Sequence, residues 1–149
     1  FGNLHKTSNH AGHLYEEDIH IPLLIHLPGM DYGIDISRVG TSIDFAPTLC
    51  DLMGIPHSSK WDGQSLVAAS YKPRPQLIFS RSSFSANGII DGNYKYFYYL
   101  DSGEEHFYDL EKDPHEQNNI VREIQTERNA YRKLIKGWIP YVDMKTKGR

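Results

Sequence analysis

The chain has 149 residues, 39% hydrophobic and 23% charged, and a net charge of -3. A chain of this size buries roughly 70% of its unfolded surface, so it can hold a real core. The interspersed charge leaves no electrostatic footprint for nucleic acid or an anionic membrane, and no apolar run reaches the roughly 18–20 residues that cross a bilayer. A lone cysteine, Cys50, excludes an intrachain disulfide. The opening "FGNLHK", without a methionine, is what a fragment would show.

Residues 12–17, "GHLYEE", read as a short helix or turn. The unbroken apolar run Ile21 to Leu27 follows, closed by Pro28-Gly29, and predicts a strand buried on both faces, as in a parallel sheet covered by helices. "MDYGIDISRVG" is a loop. "TSIDFAPTLCDLMGI" predicts a helix with Ser42 as N-cap, Pro47 near the first turn and Gly54 at the C-terminal cap. Its apolar face would carry Ile43, Ala46, Leu49, Cys50 and Met53. Ile55 to Pro75 is turn-rich. "QLIFSR", "GIIDGNYKYFYYL" and "EEHFYDL" then predict a small antiparallel sheet, with Asn-Gly, Asp-Gly-Asn and Asp-Ser-Gly as hairpin signals. "EKDPHEQNN" is a turn built on Asp113-Pro114. A closing helix is expected from about Ile120 to Ile139, capped by Asn118 or Asn119 and ended by Pro140. Its stripe of Ile120, Ile124, Tyr131, Leu134, Ile135 and Trp138 would cover one face of the sheet. The fold class is α/β, divided into residues 1–70 and a sheet-and-helix part at 71–149.

The chemistry-bearing residues crowd the first third. His5, His10, His13, His20 and His26 surround the "LYEE" stretch. His10 and His13 could share a zinc ion, yet neither Cys-x-x-Cys nor His-Glu-x-x-His accompanies them. His20 and His26 read as packed or hydrogen-bonded side chains, and His5 as a solvated loop residue. His10 stands apart because its glycine- and alanine-bearing loop leads into the helix and strand; open α/β sheets bind ligands in loops at strand ends, and the sequence leaves open which end this loop occupies. No Gly-x-Ser-x-Gly elbow marks a hydrolase triad, "SRSSFS" reads as turn serines, and Cys50 reads as packed. Glu16-Glu17-Asp18 could form a metal shell, but adjacent acids more commonly mark a solvated face or a favourable helix-dipole contact. The aromatics of "YYLDSGEEHFYDL" could stack on a base or sugar; as cross-strand pairs they would hold a sheet together.

Taken in order, "GHLYEEDIHIPLLIHLPG", "TSIDFAPTLCDLMGIP", "WDGQSL", "NYKYFYY" and "FYDLEKDPHEQNN" resemble the C-terminal third of a sulfatase, a member of the alkaline phosphatase-like superfamily. The resemblance implies hydrolysis of sulfate esters by a formylglycine made from Cys/Ser-x-Pro-x-Arg, with calcium neutralising the sulfate. That motif is absent from these residues, and the family's metal pair would lie upstream of Phe1, so the fragment alone should bind no such cofactor and show no turnover. The family places a sulfate-contacting lysine in "G-K-x-T-x-Y-E"; here Ala11 holds that position. Other members place a histidine where His10 stands, which implies a catalytic and substrate-binding role for His10, as donor to a sulfate oxygen or acid for the leaving group. His13 and Lys6 are the further substrate-binding candidates, with His5 beside them. The implied partners are a sulfate ester substrate and the N-terminal part of the same protein, with no nucleic acid and no membrane span. Relatives are periplasmic, secreted or lysosomal. A phosphoryl or phosphonate ester hydrolase of the same superfamily, or a non-catalytic binding module, would share the scaffold.

Overall fold

A computed structural model describes residue 5, residues 12–29, 36, 38–81 and 85–147, with side chains as far as residue 140. The described residues fall into two compact units, residues 1–21 with 75–149 and residues 22–74. We call them the sheet unit and the helix unit.

The sheet unit is built on four antiparallel strands in the order β1-β2-β3-β4. These are β1 (Gln76–Arg81), β2 (Ser85–Asp91), β3 (Tyr94–Tyr99) and β4 (Glu105–Asp109). The tyrosines, phenylalanines and isoleucines that predicted strands pack here from both faces, as the pleat alternates them. On one face Ala86, Phe97 and Tyr108 form a core with Leu14 and Tyr15. On the other Ile89, Tyr96, Tyr98 and Phe107 pack with Ile135. Register pairs Gly88 with Phe97 and Phe97 with His106. A slip of one residue would exchange the two cores, so the double burial fixes the pairing.

The turn signals divide. Asp91-Gly92-Asn93 joins β2 to β3, with Gly92 at φ +58°, and Asp101-Ser102-Gly103 joins β3 to β4, with Gly103 at φ +71°. Asn87-Gly88 lies inside β2 instead. A Cβ on Gly88 would stand 2.8 Å from Phe97 Cβ and 3.0 Å from Ile78 Cγ1, so this glycine serves close packing and not a turn.

The closing helix, α3, runs Gln125–Lys147. It starts later than expected and continues through Pro140, whose missing N–H costs one helical bond without ending the helix. Ile120, Val121 and Ile124 still pack against the sheet core ahead of the helix, together with Tyr131 and Ile139. Leu134, placed on the expected stripe, is half exposed. The opposite face of the sheet is covered by the segment around α1 (Glu16–Ile19), through Leu14, Tyr15 and Ile19.

In the helix unit, α2 spans Ser42–Leu52 with Thr41, not Ser42, at the N-cap. Asp44 reaches back to the Thr41 N–H at 2.9 Å. Its other oxygen accepts from the Gln64 N–H and from Arg74, both at 2.7 Å. The Thr48 hydroxyl takes the Leu66 N–H at 3.0 Å. The "DFAPT" and "WDGQSL" stretches are therefore bolted together, and the buried face of α2 is Asp44, Pro47 and Thr48. The expected apolar face is only partly covered: Ile43 and Met53 are 53% and 59% exposed, while Leu49 and Cys50 are half-buried. Gly54 caps the end at φ +66°, as its position suggested.

Ile21–Leu27 forms no strand, and Ile21 and Leu24 are 77% and 92% exposed. A strand buried on both faces needs ladder partners and covering helices, and the run has no ladder partner among the described residues.

Candidate functional site

The densest chemistry of the sheet unit surrounds Lys95. Its strand is aromatic on either side, and the ammonium is fully buried, at 0% exposure. A buried charge must be paired. Lys95 Nζ lies 3.0 Å from Glu16 Oε1 and 2.8 Å from Glu116 Oε1. Glu116 comes from the Asp113-Pro114 turn, closed by the Glu116 N–H donating to the Asp113 carbonyl at 3.1 Å. It adopts φ +53°, a left-handed conformation unusual for a side chain of its size. Its second oxygen accepts the Glu16 N–H at 2.6 Å.

One cation shared by two carboxylates leaves a net negative triad, and the two acids separate accordingly. Burial opposes ionisation of Glu16, but the Lys95 ammonium outweighs it and holds that carboxyl below its ordinary range. Glu116 is the more deeply buried; desolvation, with Glu16 as a like charge, pushes it up despite Lys95.

Glu116 also reaches the other end of the histidine-bearing segment. Its carbonyl oxygen lies 3.1 Å from His5 Nε2, while His5 Nδ1 lies 2.9 Å from Glu17 Oε1. The imidazole stacks flat on Tyr15, with ring centroids 3.6 Å apart and planes 3° from parallel. His5 is therefore no solvated loop residue: its side chain is 12% exposed and held on three sides. An open cleft of about 260 Å³ adjoins it, lined by His5, Glu16, Glu17, His20, Pro114, His115 and Glu116.

His13 lies on the same side of the sheet. Its Nδ1 is 2.7 Å from the Tyr99 hydroxyl, and its ring meets Tyr99 edge-on. Burial pushes the Tyr99 phenol up, and that of Tyr15 likewise, so both remain protonated hydrogen-bonding groups. Beneath them His106 stacks on Phe97 at 4.7 Å and lies 3.0 Å from the Tyr108 hydroxyl. Desolvation depresses the His106 imidazole below its ordinary range, against the pull of Glu104.

Of the sequence candidates, His10 and Lys6 lie outside the described residues, and His13 is built into the sheet face. His20 is exposed but hydrogen-bonded to Glu16 at 3.1 Å, in line with one of its two expected roles, whereas His26 is exposed and not packed. Glu16 and Glu17 are engaged by Lys95 and His5 and do not form a solvated face; Asp18 keeps Oδ2 buried without a hydrogen-bond partner among the described residues. The aromatics of β3 and β4 are cross-strand and core residues. Sequence reasoning missed Lys95 and Glu116, and it named His5 without the contacts that hold it. The signal for Lys95 was present: a lone cation inside an aromatic strand needs a buried acid from elsewhere.

The family model for "N-sulphoglucosamine sulphohydrolase, C-terminal" matches residues 10–137, which include every described member of this cluster except His5. The chain belongs to that family. Among curated proteins it is 28% identical over 142 residues to Arylsulfatase K of Danio rerio, covering 86% of this chain and 27% of that protein. It is 28% identical over 123 residues to a Delta 4,5-hexuronate-2-O-sulfatase of Bacteroides thetaiotaomicron, covering 73% of this chain and 26% of that protein. A solved 2-O GAG sulfatase superposes with TM-score 0.55 at 25% identity, over 71% of this chain and 26% of the solved one. The chain thus spans about a quarter of the length of these relatives, and the expected likeness to a sulfatase C-terminal part and to its fold is borne out. In this sulfatase C-terminal family member, the motifs that carried the resemblance are the ones that converge inside each unit. "LYEE", "NYKYFYY" and "DPHE" meet around Lys95 in the sheet unit, and "DFAPT" and "WDGQSL" around Asp44 in the helix unit.

Proposed function

We propose that this chain is the C-terminal part of a sulfate ester hydrolase, to which it contributes part of the substrate-side wall. The observation that carries this is the family match over residues 10–137. The names of the relatives, sulfatases acting on a hexuronate 2-O-sulfate among them, make sulfated sugars the first substrates to try. In this reading His10 donates to a sulfate oxygen or protonates the leaving oxygen, and His13 and Lys6 assist in holding the anion. In the same reading residues 1–70 form the end of the α/β core and residues 71–149 the small-sheet subdomain, with Leu14, Tyr15 and Ile19 packing on that sheet.

Formylglycine and calcium would be supplied elsewhere in the polypeptide. The sequence has no Cys/Ser-x-Pro-x-Arg, and the described residues do not fit a calcium site. The buried carboxylates of Glu116 and Asp44, and that of Glu16 beside the former, are each turned onto a cation. Hard-cation binding needs several carboxylate or carbonyl oxygens together, which these pairings use up.

The test is hydrolysis of aryl and sugar sulfate esters by the full-length protein and by the 149-residue chain. Turnover by the full-length protein alone is expected, with His10→Ala lowering kcat/KM on the order of 10²–10⁴-fold. Preferential cleavage of phosphate or phosphonate esters would replace this reading with that chemistry, and absence of both turnover and sulfate binding would leave a non-catalytic module.

A further inference from the structure

Lys95 and Glu116 are hard to account for by stability alone. Replacing a buried ion pair with well-packed apolar groups is often neutral or stabilising, so the pair by itself argues little for a stability role and its geometry is the feature to explain. Here the geometry is specific. Glu116 touches both ends of the stretch from His5 to Glu16: its carbonyl oxygen faces His5 Nε2 at 3.1 Å, and its carboxylate takes the Glu16 N–H at 2.6 Å. Lys95 Nζ then ties that carboxylate and the Glu16 carboxylate to the middle of β3. The left-handed backbone at Glu116 lets one residue present its carbonyl and its carboxylate to two different partners, at a conformational cost of the kind found where local geometry matters. Between the two anchored ends, His13 is set against Tyr99, and Tyr15 carries the His5 ring.

The geometry points to Lys95 and Glu116 as positioning residues that fix His5 and the segment His13–Glu16 in one orientation toward substrate. Neither touches the reacting atoms. They act through Glu16 and His5, and a misplacement of about 1 Å at a reacting group can cost on the order of 100-fold. The functional part of this inference rests on the sulfate-ester reading; the positioning part does not.

Two measurements on the full-length protein separate them. In ¹H–¹⁵N spectra of the histidine side chains at fixed pH, Glu116→Ala should shift the His5 and His13 imidazole signals, while Glu116→Gln, whose amide oxygen can still accept the Glu16 N–H but whose NH2 replaces the oxygen facing Lys95, should shift them less. Sulfate ester kinetics on the folded fraction should follow: Glu116→Ala lowers kcat/KM at least tenfold, and Glu116→Gln retains at least threefold more of it than Glu116→Ala. Unmoved imidazole signals in Glu116→Ala overturn the inference, as does an equal loss in the Ala and Gln variants. A smaller shift in Gln than in Ala, in a protein whose wild type cleaves no sulfate ester, would uphold the positioning role and overturn the sulfate-ester reading instead. If Glu116→Ala fails to fold, Lys95→Arg serves: a retained cation with a different reach should move the His5 signal and lower kcat/KM, and unchanged values of both overturn the inference.

Discussion

Both units hang a loop on a buried carboxylate, yet with opposite electrostatics. In the helix unit Asp44 is a single acid satisfied by the Thr41 and Gln64 N–H groups and by Arg74, whose side chain is still 29% exposed. Burial works against its ionisation, but the Arg74 contact and the two N–H donors outweigh it and hold the carboxyl below its ordinary range. In the sheet unit two acids share one fully buried cation, so one settles low and the other high. The difference teaches what each arrangement is suited to. Asp44 is a fastener with surplus donors. The Lys95 triad is a balance: removing Lys95 strands two carboxylates, whereas removing one acid leaves a single cation–carboxylate pair.

The largest effect expected from breaking this comparison is Lys95→Met. It leaves two neighbouring carboxylates with no cation, and should cost about 3–5 kcal/mol in denaturant unfolding of the sheet unit. Asp44→Ala should cost about 2–3 kcal/mol, through the stranded Gln64 and Thr41 donors, and should lower hydrogen-exchange protection in residues 41–66 while sparing β2 and β3. Gly63→Ala tests the same fastener sterically: the new Cβ would collide with the Ile43 carbonyl oxygen, the acceptor that Pro47 leaves without its helical donor. A loss of about 1–3 kcal/mol is expected by the same assay.

The smallest effect, and the sharpest in sign, is pH dependence. Asp44 titrates below its unfolded value, so its contribution is present above that value and is lost as pH falls through the folded one. The deficit of Asp44→Asn relative to wild type should therefore shrink on acidification. Glu116 titrates above its unfolded value, so the folded state takes up its proton first and its contribution improves as pH falls. Wild type should accordingly gain on Glu116→Gln over the same range. Unfolding midpoints of the two pairs measured across the acid range should diverge in opposite directions; parallel trends would remove the distinction between fastener and balance.

The sheet was legible because alternating aromatics and Gly-bearing turns are local signals, and the Asp113-Pro114 turn likewise. What failed was contact between distant segments. His5 read as solvated because nothing near it in sequence hints at Glu116, 111 residues away. Ile21–Leu27 read as a buried strand because hydropathy records a need for cover and not its presence. The face of α2 was misassigned for a related reason: Asp44 and Thr48 look polar and outward in sequence, yet find partners 18 to 30 residues on that draw them in. Of the candidate site, sequence pattern supplied the histidines and structure supplied the acids and the lysine that hold them.

The sheet unit is discontinuous along the chain, and this bears on the order of assembly during synthesis. Glu16 leaves the ribosome 79 residues before Lys95 and 100 before Glu116. At about 5–20 residues per second, the N-terminal stretch waits roughly 5–20 s for the groups that seat it. Throughout that delay the nascent polypeptide carries the histidine segment unanchored, with the outward-facing apolar residues of Ile21–Leu24 and α2 following it, and an arrest or truncation anywhere before Glu116 would release a product that cannot complete its own histidine-bearing edge.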